Sequence, residues 1–556
     1  MQFLIHSQLM SVRLLCLFTF WAATTFAQFT LQPQTIEPDQ ITFAAIKAPL
    51  GKVELLYGTT PALELGLGTS HKSNASLTLS NLQPAHFYYV QPFVWTGTDT
   101  IWGSRGYYST QSQSTGEIQI LFNQGIDTRY STGGSPMIAF GGSNVENAII
   151  TKINQAQYTI DAAIFNNTRT AIVNALKAAR NRGVQIRYVA NAGTFTSNAA
   201  LVNGQPNFPV AYVNLADLMH NKFVVIDAQS VDSSWVWTGS CNWTYTDMFT
   251  NYNNIVLLQD QALANAYTLE FNEMWGGSSS TFNSSNSRVG ASKTDNTPHF
   301  FNIGGRTVEL YFSPSDNVTS EIASSLYSAD NDVEFCLLAF TRNDLGTAIR
   351  NLHLNGILEH GIMENINDPG SEYNYLTGSG VNLLADIRST ALHHKYAIVD
   401  AGDANSDPQV ITGSHNWTTA AELRNDENTL IIHDASIANI YLQEFTLRWC
   451  QNKNNTNCNL PFSVFTNVPT LEDKNAQLKL YPNPTNQTVT LELETASQEQ
   501  GILEIYSLTG QLIQQQQLAL QNGSTTLDVS RLVNGCYWLR LRVGNKVHQE
   551  KLFIIR

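Results

Sequence analysis

Residues 218–227, LMHNKFVVID, and residues 391–400, ALHHKYAIVD, share one pattern: a His, a Lys two positions later, and an Asp five positions after the Lys. The apolar run between Lys and Asp is typical of a buried strand, and on a strand the His and Lys side chains share a face. One such pattern is expected by chance in roughly one chain of this size in a hundred. Two copies, whose histidines His220 and His393 are 173 residues apart, therefore indicate a duplicated unit.

The duplication extends beyond these motifs. In residues 116–275 and again in residues 301–459, strand-like runs alternate with helix-period runs, which predicts α/β construction. Both copies end on a similar segment, ALANAYTLEFNEMW in the first and SIANIYLQEFTLRW in the second. Two long units do not make a solenoid, so we predict a pseudo-dimer of two similar α/β halves within a monomeric chain. Residues 276–300, rich in Gly, Ser and Asn, are the predicted linker.

Each motif is followed by a second strand-like run that ends in a polar turn. The turn is TGSCNWT in the first copy, with Ser240 and Asn242, and TGSHNWT in the second, with Ser414 and Asn416. Both turns follow their motifs inside the longer repeat. We therefore expect these Ser and Asn side chains to belong to the same site as the His and Lys side chains.

These residue types suit a phosphodiester. Lys222 and Lys395 supply positive charge, and the Asn amides supply donors, for the non-bridging phosphate oxygens. One neutral imidazole can attack phosphorus without a metal, and the other, protonated, can donate to the departing oxygen. Each half supplies one His, so we predict a single site that uses both His220 and His393, with water then releasing the phosphohistidine.

The remaining motif residues suggest support rather than metal binding. Asp227 and Asp400 are predicted to be structural, each orienting a neighbouring donor. A zinc site built from His220, His393 and His394 is a poor alternative, because their companions are Lys and amide side chains rather than further ligands. We therefore predict no metal and no cofactor.

The paired motifs resemble the HxKxxxxD motifs of the phospholipase D superfamily, and the resemblance covers roughly residues 116–459. It implies two α/β halves packed so that both motifs share one cleft, and a metal-independent phosphohistidine mechanism. It also implies that His220 is the nucleophile and His393 the acid. The sequence itself is symmetric in the motifs and leaves that assignment open.

The two copies differ downstream of their turns. Glu427 matches a carboxylate that orients a His in the superfamily, whereas the first copy has Asn253 at the corresponding position. A carboxylate favours the protonated form of an imidazole that it hydrogen-bonds, so we expect the two histidines to differ in pKa. Whether Glu427 reaches the His of its own half or that of the other half is open at the level of sequence.

The substrate class is also open, since the superfamily includes phospholipases, nucleases, lipid synthases and transferases. The chain has 31 basic and 45 acidic residues, a formal net charge of −14, and no broad basic surface for nucleic acid. We therefore predict a phospholipid head-group hydrolase that contacts membrane surfaces transiently. One alternative is a nuclease, because the second turn resembles that of small bacterial nucleases of the superfamily. Another is a catalytically silent module that binds phosphate-rich surfaces.

The N-terminal segments predict export followed by a β domain. Residues 1–27 carry Arg13, an apolar run and a Thr-Phe-Ala end, which is the pattern of a signal peptide. The apolar run is shorter than the ~20 residues that a membrane anchor needs. Short alternating runs in residues 28–112 predict a small β-sandwich, in which NLQPAHFYY, with Tyr88, resembles the fibronectin type III signature.

The C-terminal segment, residues 477–556, again shows alternating runs and predicts a second β-sandwich. Its YPNPT, residues 481–485, resembles the C-terminal sorting domain of the type IX secretion system. That resemblance implies export by this machinery to the medium or the cell surface. Export permits disulfides, and Cys450 and Cys458, which flank a polar loop, are the predicted pair.

Overall fold

The structure is a computed structural model, and it describes most of the chain. The described residues are 29–68, 77–131, 137–193, 196–213, 216–403, 406–453, 478–483, 485–493, 499–507, 512–520, 523–532, 535–543 and 546–554. The predicted signal peptide and Cys458 lie outside them. Cys450 is disulfide-bonded. In the described part of the chain, no helix combines the length and the apolar character needed to cross a bilayer.

The described residues from 29 to Thr110 belong to one compact unit and form strands. The strands are β1 (Thr30–Ile36), β2 (Gln40–Ile46), β3 (Val53–Gly58), β4 (Gly66–Leu67), β5 (Leu77–Ser80), β6 (Phe87–Trp95), β7 (Thr100–Trp102) and β8 (Gly106–Ser109). One sheet has the order β1-β2-β5, and the other has the order β4-β3-β6-β7 with β8 also paired to β6. The buried Tyr88 accepts a hydrogen bond on its hydroxyl from the Gln83 amide at 3.0 Å. The fibronectin type III assignment stays a prediction.

In its described residues, the first α/β half contains one eight-stranded sheet and five α-helices. Its elements are β9 (Ile118–Phe122), β10 (Met137–Phe140), α1 (Gly142–Gln155), β11 (Thr159–Ile164), α2 (Thr170–Asn181), β12 (Gln185–Asn191), α3 (Ala199–Gly204), β13 (Val210–Val213), β14 (Lys222–Ile226), β15 (Trp235–Gly239), α4 (Tyr245–Phe249), β16 (Asn254–Leu258) and α5 (Gln261–Trp275). The strand order is β10-β9-β16-β15-β14-β11-β12-β13. β11, β12 and β13 run parallel, and the central strands from β11 to β9 alternate in direction.

The second half repeats this design. Its elements are β17 (Phe300–Ile303), β18 (Arg306–Ser313), α6 (Val318–Tyr327), β19 (Asp332–Leu337), α7 (Asn343–Leu354), β20 (Leu358–Met363), α8 (Tyr373–Gly378), β21 (Asn382–Ala385), β22 (Lys395–Val399), β23 (Gln409–Gly413), α9 (Thr419–Leu423), β24 (Glu427–His433) and α10 (Ala435–Asn452). Its sheet has the order β17-β18-β24-β23-β22-β19-β20-β21. Seven of these strands match seven of the first half in order. The edge strand differs, because β17 is antiparallel to β18 whereas β10 is parallel to β9. The prediction of two similar α/β halves is confirmed.

The motif strands lie at the centre of each sheet, where both faces are covered. On β14, Val224 and Ile226 belong to the core formed with α1 and α2. Phe223 points to the other face and packs against Tyr267 of α5, with ring centroids 5.0 Å apart. Tyr267 also contacts Phe312 of the second half at 5.2 Å. A strand buried on both faces needs a continuous apolar run, which explains FVVI and YAIV.

The last described residues form two further antiparallel sheets. Their strands are β25 (Lys479–Tyr481), β26 (Thr488–Glu492), β27 (Glu499–Ser507), β28 (Leu512–Leu520), β29 (Ser524–Asp528), β30 (Gly535–Val543) and β31 (Lys546–Ile554). The orders are β25-β26-β29 and β28-β27-β30-β31. Leu491 of the first sheet and Leu539 of the second belong to one buried core, so the two sheets pack on each other.

Candidate active site

The two motifs are joined to opposite halves by their backbones. The His220 amide donates to the Asp426 carbonyl at 3.0 Å, and the His393 amide donates to the Tyr252 carbonyl at 3.0 Å. Asp426 and Tyr252 each directly precede the residue at which the two copies differ, Glu427 or Asn253. The strands begin at Lys222 and Lys395, so each His lies two residues before its strand rather than on it. These cross-half bonds hold the two histidines beside the other half's polar turn.

Glu427 reaches the His of the other half. Its two carboxylate oxygens both lie 2.8 Å from Nδ1 of His220, and the Glu427 side chain is fully buried. Burial lowers the pKa of the His220 imidazole well below its usual value, and the charges of Lys222 and Lys395 lower it further. Burial also raises the pKa of Glu427 to about 7. Because Nδ1 is bound to Glu427, Nε2 is the ring nitrogen that remains for a substrate.

Asn253 takes the same position beside His393. Its Oδ1 lies 2.8 Å from His393 Nδ1, and the same oxygen accepts a hydrogen bond from the Ser240 hydroxyl at 2.8 Å. Its amide nitrogen donates to the Asp247 backbone carbonyl at 2.9 Å. These bonds fix the amide so that oxygen faces the ring, and His393 must therefore donate from Nδ1. Ser414 occupies the equivalent place in the other half, where its hydroxyl bonds to Glu427.

Lys222 and Lys395 are both buried at the same site. Each ammonium donates to the backbone carbonyl of the His two residues before it, at 2.5 Å for Lys222 and 2.8 Å for Lys395. Burial lowers the pKa of Lys222 to about 8. Burial lowers the pKa of Lys395 well below its usual value, and repulsion from Lys222 adds to the effect. Two desolvated cations that repel each other favour an anion between them.

The polar turns approach the neighbouring strands closely. A Cβ on Gly239 would lie 2.3 Å from the Asn254 carbonyl oxygen, and one on Gly413 would lie 2.2 Å from that of Asn428. Glycine is therefore required at the point where each turn passes the backbone of the neighbouring strand. The buried Oδ1 atoms of Asn242 and Asn416 accept no hydrogen bond within the described part of the chain.

Asp227 and Asp400 lie at the far ends of the motif strands, away from the two histidines. Each carboxylate accepts hydrogen bonds from three consecutive backbone amides, residues 157–159 for Asp227 and residues 330–332 for Asp400. Each also accepts one hydroxyl hydrogen bond, from Ser233 or Ser406. Contacts within the site therefore join eight of the eleven sequence-predicted residues. Asn416 lies in the equivalent turn of the second half, and Asp227 and Asp400 lie in supporting turns.

The sequence interpretation missed several residues around the site. The Phe165 ring packs edge-on against His220, with centroids 4.9 Å apart, and Lys222 lies 5.2 Å from its centroid. Asp247 lies with its Oδ1 3.8 Å from His393 Nδ1. Comparing the two copies position by position could have identified Asp247, because the second copy has Ala421 there.

The predicted linker is also part of the structure that supports the site. Lys293 within it is buried and pairs with Glu270 and, at 3.5 Å, with Asp426. The Gly290 amide donates to the Asp426 carboxylate at 2.7 Å. The connector therefore fixes the residue that binds the His220 backbone.

One group with metal-ligand geometry was found among the described residues, and it does not include the motif residues. Ligand atoms of Asp295, His299 and Asp316 lie within 4.8 Å of one another. His299 Nε2 is 3.3 Å from Asp295 and its Nδ1 bonds the Leu310 carbonyl at 2.9 Å. A His–carboxylate ion pair accounts for this arrangement.

Comparison with known proteins places these features in a family. The family profile described as "Cardiolipin synthase, PLD-like domain" matches twice, at residues 149–275 and 322–449. Mitochondrial cardiolipin hydrolase of Xenopus laevis is 34% identical over 162 residues, 27% of this chain and 74% of the relative. The protein of the same name from Mus musculus is 34% identical over 139 residues, 24% of this chain and 59% of the relative. The chain belongs to the phospholipase D-like family, as the paired motifs predicted.

Further comparisons concern a solved structure, the C-terminal domain and the share of the relatives' length that this chain matches. A solved structure of phosphatidylserine synthase from Haemophilus influenzae is 14% identical, with a TM-score of 0.43, over 61% of this chain and 87% of that chain. The profile described as "Secretion system C-terminal sorting domain" matches residues 479–555, which confirms the predicted type IX sorting domain and supports export. The chain spans between half and three quarters of the length of the first curated relatives that it matches.

Proposed function

We propose that this chain hydrolyses phosphodiester bonds through a covalent phosphohistidine on His220, without a metal. The observation that carries the proposal is the crossed arrangement at the site. Two imidazoles from different halves face two buried lysines, and each Nδ1 is held by a partner from the opposite half. Each Nε2 is thereby left to act on one phosphorus.

The two partners favour different roles for the two histidines. Glu427 is a carboxylate in direct contact with His220, and it offsets the positive charge that the ring gains when Nε2 binds phosphorus. Asn253 is a neutral acceptor for His393, so a His393 imidazolium gives up its proton more readily. A stabilised covalent adduct suits a nucleophile and a more acidic imidazolium suits a proton donor.

The reaction then follows in two displacements. Nε2 of His220 attacks phosphorus while the bond to the leaving oxygen breaks, and His393 gives that oxygen its Nε2 proton. Water next attacks the phosphohistidine, His393 accepts the proton of the water, and the P–N bond breaks. Lys222, Lys395 and the turn amides bind the non-bridging oxygens in both steps.

We propose a phospholipid as the substrate. Relatives at 34% identity are named mitochondrial cardiolipin hydrolases, and the chain has an excess of acidic residues, with a net charge of −14. Nucleic acid is the second candidate, because the turn segment TGSHNWTTAAELRNDEN resembles that of small bacterial nucleases. The sorting domain supports export, and we propose that the reaction takes place outside the cell, with the protein released or held at the surface after passage through the type IX machinery.

Turnover of four substrate classes tests this proposal. Purified protein is incubated with vesicles of phosphatidylcholine or cardiolipin, with single-stranded DNA, with duplex DNA and with RNA, each with and without excess EDTA. We expect head-group release from vesicles that EDTA does not affect. Cleavage of nucleic acid without cleavage of phospholipid would contradict the phospholipid substrate and support the nuclease alternative. Loss of all turnover in EDTA would contradict the metal-free mechanism.

The covalent step has its own test. We expect His220→Ala to abolish turnover and His393→Ala to accumulate a labelled protein when the substrate carries 32P, because the second step then lacks its base. Because His393 is also the acid of the first step, label should build up slowly in His393→Ala. Labelling of the His220→Ala/His393→Ala double variant would remove the nucleophile assignment. Binding to anionic vesicles without turnover of any substrate would favour the silent module.

A further inference from the structure

The first half carries a carboxylate at a position where the second half has none. The Asp247 amide donates to the Thr244 hydroxyl at 3.0 Å, and the Ala421 amide donates to the Thr418 hydroxyl at 3.2 Å. Thr244 and Thr418 are the N-caps of α4 and α9, so Asp247 and Ala421 are structurally equivalent. At these two equivalent positions the second half therefore has Ala421 and Glu427, whereas the first half has Asp247 and Asn253.

The Asp247 side chain is held facing His393. It is buried, and its Oδ1 lies 3.8 Å from His393 Nδ1. Asn251 donates to Oδ1 at 2.9 Å and the Thr244 hydroxyl donates to Oδ2 at 3.0 Å. These bonds fix the carboxylate beside the ring without replacing the direct bond to Asn253.

Asp247 also restores the balance of charge at the site. Lys222 and Lys395 bring two positive charges, and Glu427 brings one carboxylate beside His220. Asp247 brings the second carboxylate, beside His393. Burial opposes its ionisation, but attraction from His393 and hydrogen bonds from neighbouring side chains outweigh it, so the pKa of Asp247 lies below its usual value.

We propose that Asp247 is the positioning residue of His393, the displaced counterpart of Glu427, and that it maintains His393 as the proton donor of the reaction. This inference rests on the proposed function, in which His393 is the acid. A carboxylate at 3.8 Å favours the imidazolium electrostatically. A neutral amide in direct contact keeps that imidazolium more acidic than a carboxylate in direct contact would.

The pH dependence of His393 reports this role. Burial lowers the pKa of His393, Lys395 lowers it further, and Asp247 raises it. Among the described residues, the charged or titratable groups that act on this ring are Lys395, Asp247, Lys222 and His220. Glu427 and Cys241 act in turn on Lys222. A bound phosphodiester adds negative charge and raises the pKa of His393 in the complex.

The test removes the carboxylate and then returns it at the other position. In Asp247→Asn we expect the basic limb of the kcat–pH profile, which reports the enzyme–substrate complex, to move down by about one pH unit, a roughly tenfold loss on the alkaline side. The pKa of His393, measured by NMR on 13C-histidine-labelled protein, should fall in the same variant. A basic limb and a His393 pKa equal to those of wild type would overturn the proposal.

The exchange variant Asp247→Ala/Asn253→Glu copies the second half into the first. We expect it to restore the basic limb to or above the wild-type position, because the carboxylate introduced at position 253 would contact the His393 ring as Glu427 contacts His220. If Asp247→Asn does not fold, the exchange variant still decides the matter, since a folded but inactive exchange variant would contradict interchangeable carboxylates. The NMR titration needs no substrate, so a chain inactive on all phosphodiesters would defeat the proposed function while the titration still tests Asp247.

Discussion

The two motif histidines differ in the chemical nature of the atom that holds Nδ1. His220 is held by the carboxylate of Glu427 and His393 by the amide oxygen of Asn253, both at 2.8 Å. The lysines, serines and turn asparagines around the two rings are matched in the two halves. The copies differ at this contact and at Asp247, whose counterpart is Ala421, and in the proposed mechanism these two differences give the histidines different roles.

Substitution of Glu427 tests this difference at the residue scale. Glu427→Gln keeps the shape of the side chain but removes the charge that faces the phosphorylated ring, so we expect kcat to fall by roughly 10²- to 10³-fold, about 3–4 kcal/mol. Asn253→Ala, the matched control at the equivalent position, removes no charge but removes the neutral acceptor of His393 and the donor to the Asp247 carbonyl, and we expect a loss of about tenfold. Steady-state kinetics on the active substrate measures both. A larger loss in Asn253→Ala than in Glu427→Gln would contradict the assignment of His220 as nucleophile.

Each motif strand is fixed at both ends. At one end Lys222 or Lys395 bonds the carbonyl of its His, and at the other Asp227 or Asp400 binds three backbone amides of the turn before the neighbouring strand. Asp227 has a φ of 48° and Asp400 a φ of 52°, a left-handed conformation that Asp and Asn tolerate better than most residues. The third residue of the motif therefore serves the strand rather than the chemistry.

Removal of either Asp should lower stability and leave the site chemistry in place. In Asp227→Ala and in Asp400→Ala, buried amides lose their acceptor, and we expect the free energy of unfolding to fall by about 2–4 kcal/mol. Asp227→Asn keeps one acceptor oxygen and should lose less. Asp232→Ala changes an exposed carboxylate near Asp227 and serves as the control. Urea unfolding measures these values, and an unchanged stability in both alanine variants would contradict the structural role.

His433, at the end of β24, gives an element-scale prediction with a pH dependence. It bonds Glu309 at 2.9 Å and Asp407 at 3.0 Å. Burial lowers its pKa, but the hydrogen bonds to Asp407 and Glu309 outweigh burial and raise the pKa from 6.5 to about 9. Because the folded pKa exceeds the unfolded one, this stabilisation is complete below about pH 6.5 and is lost as the pH rises through about 9.

We therefore expect His433→Asn to cost stability mainly at low pH. Relative to wild type, the free energy of unfolding should fall by about 1–2 kcal/mol at about pH 6, and the difference should approach zero near about pH 10. Chemical unfolding at a series of pH values measures it. A difference that stays constant with pH would show that His433 acts through packing and not through its charge.

At the scale of the whole molecule, hydrogen bonds between the two halves form the site. The His220 and His393 amides bond carbonyls of the opposite half. Asn254 donates to Thr412 at 2.6 Å, and Thr238 donates to Asn428 at 2.6 Å. These bonds lie within one chain, so both imidazoles of a site come from the same molecule.

Mixing two inactive variants tests this arrangement. His220→Ala and His393→Ala each lack one imidazole, and because both histidines of a site come from one chain, we expect an equimolar mixture to stay inactive. Incubation at a range of protein concentrations, with the substrate assay as readout, measures this. Activity that returned in the mixture, and rose with concentration, would show that the site forms between two chains.

The sequence by itself determined the α/β halves, their duplication and eight of the residues that meet at the site. Those features rest on local patterns, since buried strands need continuous apolar runs and a repeated motif is visible without coordinates. Sequence placed the histidines on the motif strands, whereas the structure begins each strand at the Lys, because the His backbones bond the opposite half instead.

Only the tertiary structure decided which partner each His has. Contacts between residues far apart in the chain bring Glu427 to His220 and Asn253 to His393. Such contacts also place Asp247 beside His393 and keep Asp227 and Asp400 away from the site. The physical reason is that hydrogen-bond partners are chosen by distance and direction in the folded molecule, and spacing along the chain specifies neither across the interface of two halves.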